Sequence, residues 1–192
     1  MSARKILVID AHPDAAPGHF VHALAQAYLA GAEEYQTRVL RLAELDFPIV
    51  RDPAEWTQGP VPEAIAAAQA DIGWADHLVL FYPLWLGDMP ALLKAFLEQV
   101  MRPDFAFRYV DGGFPLKLLK GRSARIVVTM GMPAPLYAMF YGSHSLKALK
   151  RNILHFVGIR PVAATIIGSV EGSERRRHKW IEQIRALGRA GK

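Results

Sequence analysis

Three of the chain's histidines crowd into "LVIDAHPDAAPGHFVH" (7–22), where His12, His19 and His22 alternate with Asp10 and Asp14. Two chemistries suit such a stretch. Imidazole and carboxylate groups could ligate a divalent metal, but a zinc site with three protein ligands needs suitably spaced donors. The one His-x-x-His spacing, His19 to His22, lies inside the same stretch where a helix begins, and position 15 is alanine. No metal ligand set is assigned. The other chemistry is anion binding. The stretch runs from a strand into a helix, whose first N–H groups carry partial positive charge and hold anions without a particular side chain. Gly18 permits close approach, and His12 and His19 could donate to phosphate oxygens. An ordinary strand-to-helix turn with surface histidines is the plain alternative. The loop is neither G-x-G-x-x-G nor a G-K-[ST] P-loop, so a dinucleotide fingerprint or a nucleotide triphosphatase is poorly supported.

A second stretch, "FYPLWLGDMPALLKAFLEQVM" (81–101), places Trp85 in a loop stiffened by Pro83, Gly87 and Pro90. Such a loop can give a flat ligand an apolar wall and backbone N–H groups at its polar edge. Trp85 and Leu86 filling core beneath the loop is the other reading.

These loops need a scaffold, and the periodicity supplies one. "KILVID" (5–10), "HLVLFY" (77–82) and "ARIVVTM" (124–130) are continuous apolar runs of strand length. "TRVLRL" (37–42) alternates, and "VAATIIG" (162–168) is a fifth strand. Helical spacing falls on "HALAQAYLAGA" (22–32), 62–75, 90–101, 145–157 and 173–188, the last with Gly188 at its end. Strands apolar on both faces belong in a parallel sheet covered by helices. The expectation is an α/β fold: a three-layer, doubly wound, five-stranded parallel sheet of order 2-1-3-4-5, in a single domain over 1–192. Two long connections remain, 43–61 and 102–122. The second holds "FAFRYVDGG" (105–113), which reads as a short hairpin with a Gly-Gly turn. Ligands of such sheets bind beyond the carboxyl ends of the strands, near the reversal of strand order. The segments after Asp10, Tyr82 and Met130 are therefore the ones that matter.

Composition narrows the class. Hydrophobic residues make up 52% and charged residues 21%, a globular balance, and there are no cysteines for disulfides or thiolate chemistry. "MSARKILVID" does not read as a signal peptide, and no run reaches the roughly 18 apolar residues of a membrane span. A cytoplasmic protein with no stable membrane insertion is expected. The net charge of +5 includes "RRRHK" (175–179), read as the solvated face of a terminal helix rather than a nucleic-acid site.

The strand-three stretch resembles the flavin-edge segment of the flavodoxin-like NAD(P)H:quinone oxidoreductase (DT-diaphorase) family, where a Pro-Leu-x-Trp or Pro-Leu-Trp-Trp run precedes a Pro-Ala-x-Leu-Lys helix. His12-Pro13 with Phe20, "TMG" (129–131) and "NILHFVGI" (152–159) are similar to further family motifs. The likeness spans about residues 4 to 170. It implies that His12, His19 and Phe20 hold the flavin phosphates. It implies that Pro83, Leu84, Trp85, Leu86 and Gly87 lie along the isoalloxazine edge, and that Thr129, Met130, Gly131 and Met132 meet its pyrimidine end. Tyr137, six residues past Gly131, and His144 would be the catalytic proton or hydrogen-bond donors.

The implied cofactor is FAD, with FMN as the alternative, because the His-Pro opening resembles the FAD-binding branch. NAD(P)H would be the hydride donor, a quinone or other flat aromatic compound the acceptor, and a homodimer the assembly. Departures from the family pattern stand at His19, where Ser or Thr is usual, at Met132, where a second Gly is usual, and in the proline-rich "MPAPLY". His155 reads as a core or interface histidine, and no role is assigned to His22 or His77. A flavin-binding electron carrier and an accessory subunit regulating a membrane transporter are the competing functions. The basic charge argues against a carrier, since such carriers are usually acidic.

Overall fold

The computed structural model describes residues 3–192, so positions 1 and 2 of the domain expected over 1–192 lie outside the described residues. Five strands build the sheet: β1 (Lys5–Asp10), β2 (Gln36–Arg41), β3 (His77–Pro83), β6 (Ser123–Thr129) and β7 (Val162–Ile167). All pair in parallel, in the order β2-β1-β3-β6-β7. Counting these five alone, that is the expected 2-1-3-4-5 order. Its reversal falls between β1 and β3.

Alternation along the strands divides the core. Leu7 and Ile9, Leu78, Leu80 and Tyr82, and Ile126 and Val128 face one layer; Ile6 and Val8, Val79 and Phe81, and Val127 face the other. The first layer is covered by α3 (Glu63–Trp74), α4 (Ala91–Val100) and the helical run from His144 to Val157. The second is covered by α1 (Phe20–Gly31) and α8 (Glu174–Arg189).

α1 and α8 approach closely because each gives up a side chain. A Cβ on Gly31 would lie 2.1 Å from the Arg185 carbonyl oxygen, and one on Gly188 would lie 2.1 Å from the Tyr28 carbonyl oxygen. Gly188 stands at the end of the last helix, as the sequence suggested, one residue before Arg189, and there it also makes the contact with α1.

The long connections carry structure of their own. The first contains a 3₁₀ turn at Leu42–Glu44 and α2 (Pro53–Gln58), opened by the Asp52 carboxylate accepting from the Ala54 N–H at 2.8 Å. In the second, β4 (Phe107–Arg108) pairs antiparallel with β5 (Leu116–Lys117). The hairpin exists, and its connection contains the Gly-Gly turn: the Gly113 N–H donates to the Val110 carbonyl at 3.3 Å with Gly112 at φ 68°, inside a loop longer than the turn itself. A further helix, α5 (Ala134–Phe140), follows β6. The expected helix 145–157 is not regular. α6 (His144–Lys147) passes into a π-helical stretch, Ala148–Leu154, before α7 (His155–Val157).

Candidate active site

β1 delivers Asp10 and His12 to the carboxyl edge of the sheet, both nearly buried. The Asp10 carboxylate lies 2.6 Å from His22 Nδ1, and His22 Nε2 lies 2.9 Å from the Asp14 carbonyl oxygen. Both nitrogens of His22 are thus engaged within the loop. His12 Nδ1 lies 3.1 Å from both the Asp14 N–H and the Asp14 carbonyl oxygen, so its outer face is engaged by the loop backbone. Burial, together with nearby His19 and His22, holds the His12 pKa below its ordinary value and keeps the ring neutral. His19 Nε2 meets the Asp14 carboxylate at 2.7 Å, and the His19 ring stacks on His12 with centroids 3.8 Å apart. The Ala16 N–H and His19 hold the Asp14 carboxyl below its usual range.

This loop ends in an uncapped helix. No side chain caps α1 at His19, and its first turn carries no acidic residue. The N–H groups of Gly18, Phe20 and Val21 meet no acceptor among the described residues, and a Cβ at Gly18 would meet open space. Those features fit a phosphate. Among the described residues, no group of three or more His, Asp or Glu side chains is arranged to hold a metal ion.

The second loop is a two-residue turn. Trp85 and Asp88 exchange backbone hydrogen bonds at 2.8 and 2.9 Å, with Leu86 (φ 49°) and Gly87 (φ 81°) at the tip. Glycine tolerates that conformation, but leucine in the left-handed region is held at a cost of about 1 kcal/mol or more. The turn leaves Leu86 fully exposed and Trp85 half exposed. It touches the first loop through Trp85, whose ring stands edge-on to His12 at 5.8 Å. Pro83 and Leu84 hold its base: Pro83 is buried in β3, and the Leu84 N–H donates to the Thr129 carbonyl at 2.7 Å.

The third loop begins with Thr129 and Met130, both buried. The Met130 N–H donates to Ile167, whereas the N–H groups of Gly131 and half-buried Met132 meet no acceptor among the described residues. α5 then carries Tyr137 inward. Its ring is fully buried, and its hydroxyl lies 2.6 Å from Ser145 Oγ and accepts from the Leu146 N–H at 3.3 Å. Tyr137 is therefore a core residue whose hydroxyl is already occupied, which corrects the expectation that it donates to a substrate. The residue one helical turn on, Tyr141, reaches the site instead. It is half exposed, and its ring stands 3.4 Å from where a Cβ of Gly87 would be. His144 is exposed beside it, its Nε2 packed over Gly142. No motif singled out Tyr141; the signal in the sequence is its i+4 relation to Tyr137.

His12 and His19, the Pro83–Gly87 turn and the Thr129–Met132 turn adjoin along one rim at the reversal of strand order, whereas the Phe20 side chain packs into the layer of α1 and α8, beside Arg177 and Ile181. Residues 4–187 match the profile of the flavodoxin-like fold family, and the chain belongs to that family. Its relatives include a protein of Haemophilus influenzae described as an NAD(P)H oxidoreductase, 27% identical over 186 residues covering 94% of this chain and 91% of that one. Another is the FMN-dependent NADH:quinone oxidoreductase of Nitratidesulfovibrio vulgaris, 25% identical over 203 residues, or 95% and 97% of the two chains. In three dimensions the chain is similar to the NAD(P)H:quinone oxidoreductase from Methanothermobacter marburgensis, with a TM-score of 0.80, 23% identity and full coverage of both. Where the relatives' names specify a flavin it is FMN, so the sequence preference for FAD finds no support.

Proposed function

We propose that the chain is a flavin-dependent NAD(P)H dehydrogenase (quinone) that holds FMN at the rim described above. The convergence of the uncapped α1 terminus with the Trp85 and Gly131 turns carries this reading. A flavin bound there supplies the hydride acceptor and two-electron donor of the reaction, and the chain supplies placement and electrostatics. The N–H groups of Gly18, Phe20 and Val21, with the His12 ring beside them, would hold its phosphate. The Trp85–Gly87 turn would flank the ring edge. The N–H groups of Gly131 and Met132 would stabilise negative charge at the polar end of the ring. Tyr141 and His144 stand where a nicotinamide or quinone would be oriented, each entering the same space in turn. A single shared space supports a ping-pong order.

A homodimer completes this reading, since Trp85, Leu86, Met139, Phe140 and Tyr141 expose apolar surface at the site's edge. A cytoplasmic location accords with the cysteine-free sequence and with NAD(P)H as donor. The test is direct. Purified protein should release FMN, and initial rates with NADH or NADPH against a benzoquinone should give parallel double-reciprocal lines. Protein that takes up neither FMN nor FAD, or lines that intersect, overturns the proposal.

A further inference from the structure

The opposite end of the sheet, where the strands begin, holds a second polar site that the redox reading does not use. A cavity of about 350 Å³ there is lined by Arg4, His77, Ser123, Arg125, Val162 and Lys192, among others, with no carboxylate side chain in its wall. His77 opens β3 and Arg125 lies in β6, both on the face that packs against α1 and α8.

The hydrogen bonds inside it are incomplete. Arg4 donates to the Gly191 carbonyl at 2.6 Å and to Ser123 Oγ at 2.7 Å, and Ser123 Oγ lies 2.8 Å from His77 Nδ1. Ser123 Oγ accepts from Arg4 and keeps a lone pair and a proton for His77 Nδ1; the tautomer in which Ser123 donates carries the ring proton on Nε2, and it is the one an anion would select. That Nε2 has no partner, although His77 is only 4% exposed. Arg125 gives one N–H to Thr165 Oγ1 at 3.0 Å, while its buried Nε has no partner. The buried Tyr28 hydroxyl, under the influence of Arg4 and Arg125, is unpartnered as well. Three of the four unpartnered buried side-chain atoms among the described residues thus belong to this one region.

Neither Arg4 nor Arg125 has a carboxylate within ion-pair distance among the described residues. Both groups are partly buried, and a partly desolvated guanidinium without a counter-charge favours an anion beside it. Burial and these two arginines push the His77 pKa down to about 4, so the ring serves as a neutral donor. Donors, positive charge and room coincide, and the missing component is an anion.

We propose that this cavity binds a small phosphate-class oxyanion, gripped by the Arg4 and Arg125 guanidinium groups and the His77 Nε2–H. Bidentate guanidinium contacts suit the edges of a tetrahedral oxyanion. The site lies at the other end of the strands from His12 and Trp85 and stands whether or not the redox reading holds.

Calorimetric titration of the purified full chain, at constant ionic strength in chloride, tests it with inorganic phosphate and with glycerol 3-phosphate. Saturable binding is expected with excess FMN present, weakened at least about tenfold by Arg125→Met and by Arg4→Met and unchanged by Arg51→Met, an exposed arginine outside both sites. Arg4 lines the cavity from outside the sheet strands and is half-buried, so Arg4→Met keeps the test open should Arg125→Met fail to fold. Tighter binding of the ester identifies a phosphomonoester as the ligand, and tighter binding of phosphate identifies the free ion. Heats indistinguishable from chloride, binding retained in both the Arg4 and Arg125 variants, or binding lost in Arg51→Met overturns the proposal.

Discussion

Tyr137 and Tyr141 show how one turn of helix decides which side chain does chemistry. Both lie on the same side of α5 and its continuation, four residues apart. Tyr137 points into the core and closes a small network with Ser145 and the Leu146 N–H. Tyr141 lies past the last helical residue, where the chain turns through Gly142 and Ser143, both at φ 52°, and meets Gly87. The two phenylalanine variants should therefore separate stability from turnover. Tyr137→Phe leaves Ser145 and Leu146 without their partner and should cost about 1–2 kcal/mol in urea unfolding, with quinone kcat unchanged. Tyr141→Phe should leave the unfolding midpoint in place and lower kcat about tenfold or more if its hydroxyl assists proton transfer. The reverse pattern, with turnover lost from Tyr137→Phe at unchanged stability, would restore Tyr137 to the site.

At the scale of elements, the packing of α1 on α8 rests on two glycines. Gly188 sits over the Tyr28 carbonyl at a distance no methyl group can share, and Gly31 sits likewise over Arg185. In a helix free of such contacts, Gly→Ala is stabilising by up to about 1 kcal/mol. Here Gly188→Ala must push the helices apart, so the expected effect has the opposite sign: a loss of about 1–3 kcal/mol, seen as a lower thermal midpoint. An unchanged or raised midpoint would mean that the helices do not meet there.

This contact also marks what the sequence could express. A glycine after an apolar-periodic run looks like a helix end, and its close packing against a distant helix leaves no local trace. The five sheet strands were legible because burial on both faces demands unbroken apolar runs, as in "HLVLFY". α2 and α5, of six and seven residues, are too short to display a period, and α5 begins at prolines that read as a loop. The π-helical stretch Ala148–Leu154 keeps Leu149 and Leu154 buried, so its apolar residues also satisfy an ordinary helical pattern. In the site, the loops were legible from their prolines, glycines and Trp85. The engagement of His22 by Asp10 and Asp14, and the exchange of Tyr137 for Tyr141, depend on tertiary geometry.

For the whole molecule, the question is what covers the rim. Met139 and Phe140 are 77% and 78% exposed, and Leu86 protrudes on its strained turn next to Trp85. Beside them runs a groove of about 580 Å³ between the Trp85 turn, Met89, Lys94 and Ile153. Clustered apolar side chains of this size on a chain that is 21% charged are a cost in water unless another surface buries them. A conformation that holds leucine at φ 49° is retained where the exposed side chain is used. A second copy of the chain, related by a two-fold axis, would bury both patches at once and wall the open side of the site. Sedimentation at micromolar concentration should accordingly give twice the mass of one chain. The double variant Met139→Glu, Phe140→Glu should give the single mass, because four buried carboxylates across a two-fold interface cannot be paired. Since neither residue is assigned to holding the flavin, the monomer should keep its fold, measured by circular dichroism, and lose quinone turnover with its missing wall. A parent chain that sediments as a monomer and turns over fully would remove the dimer and the shared site together.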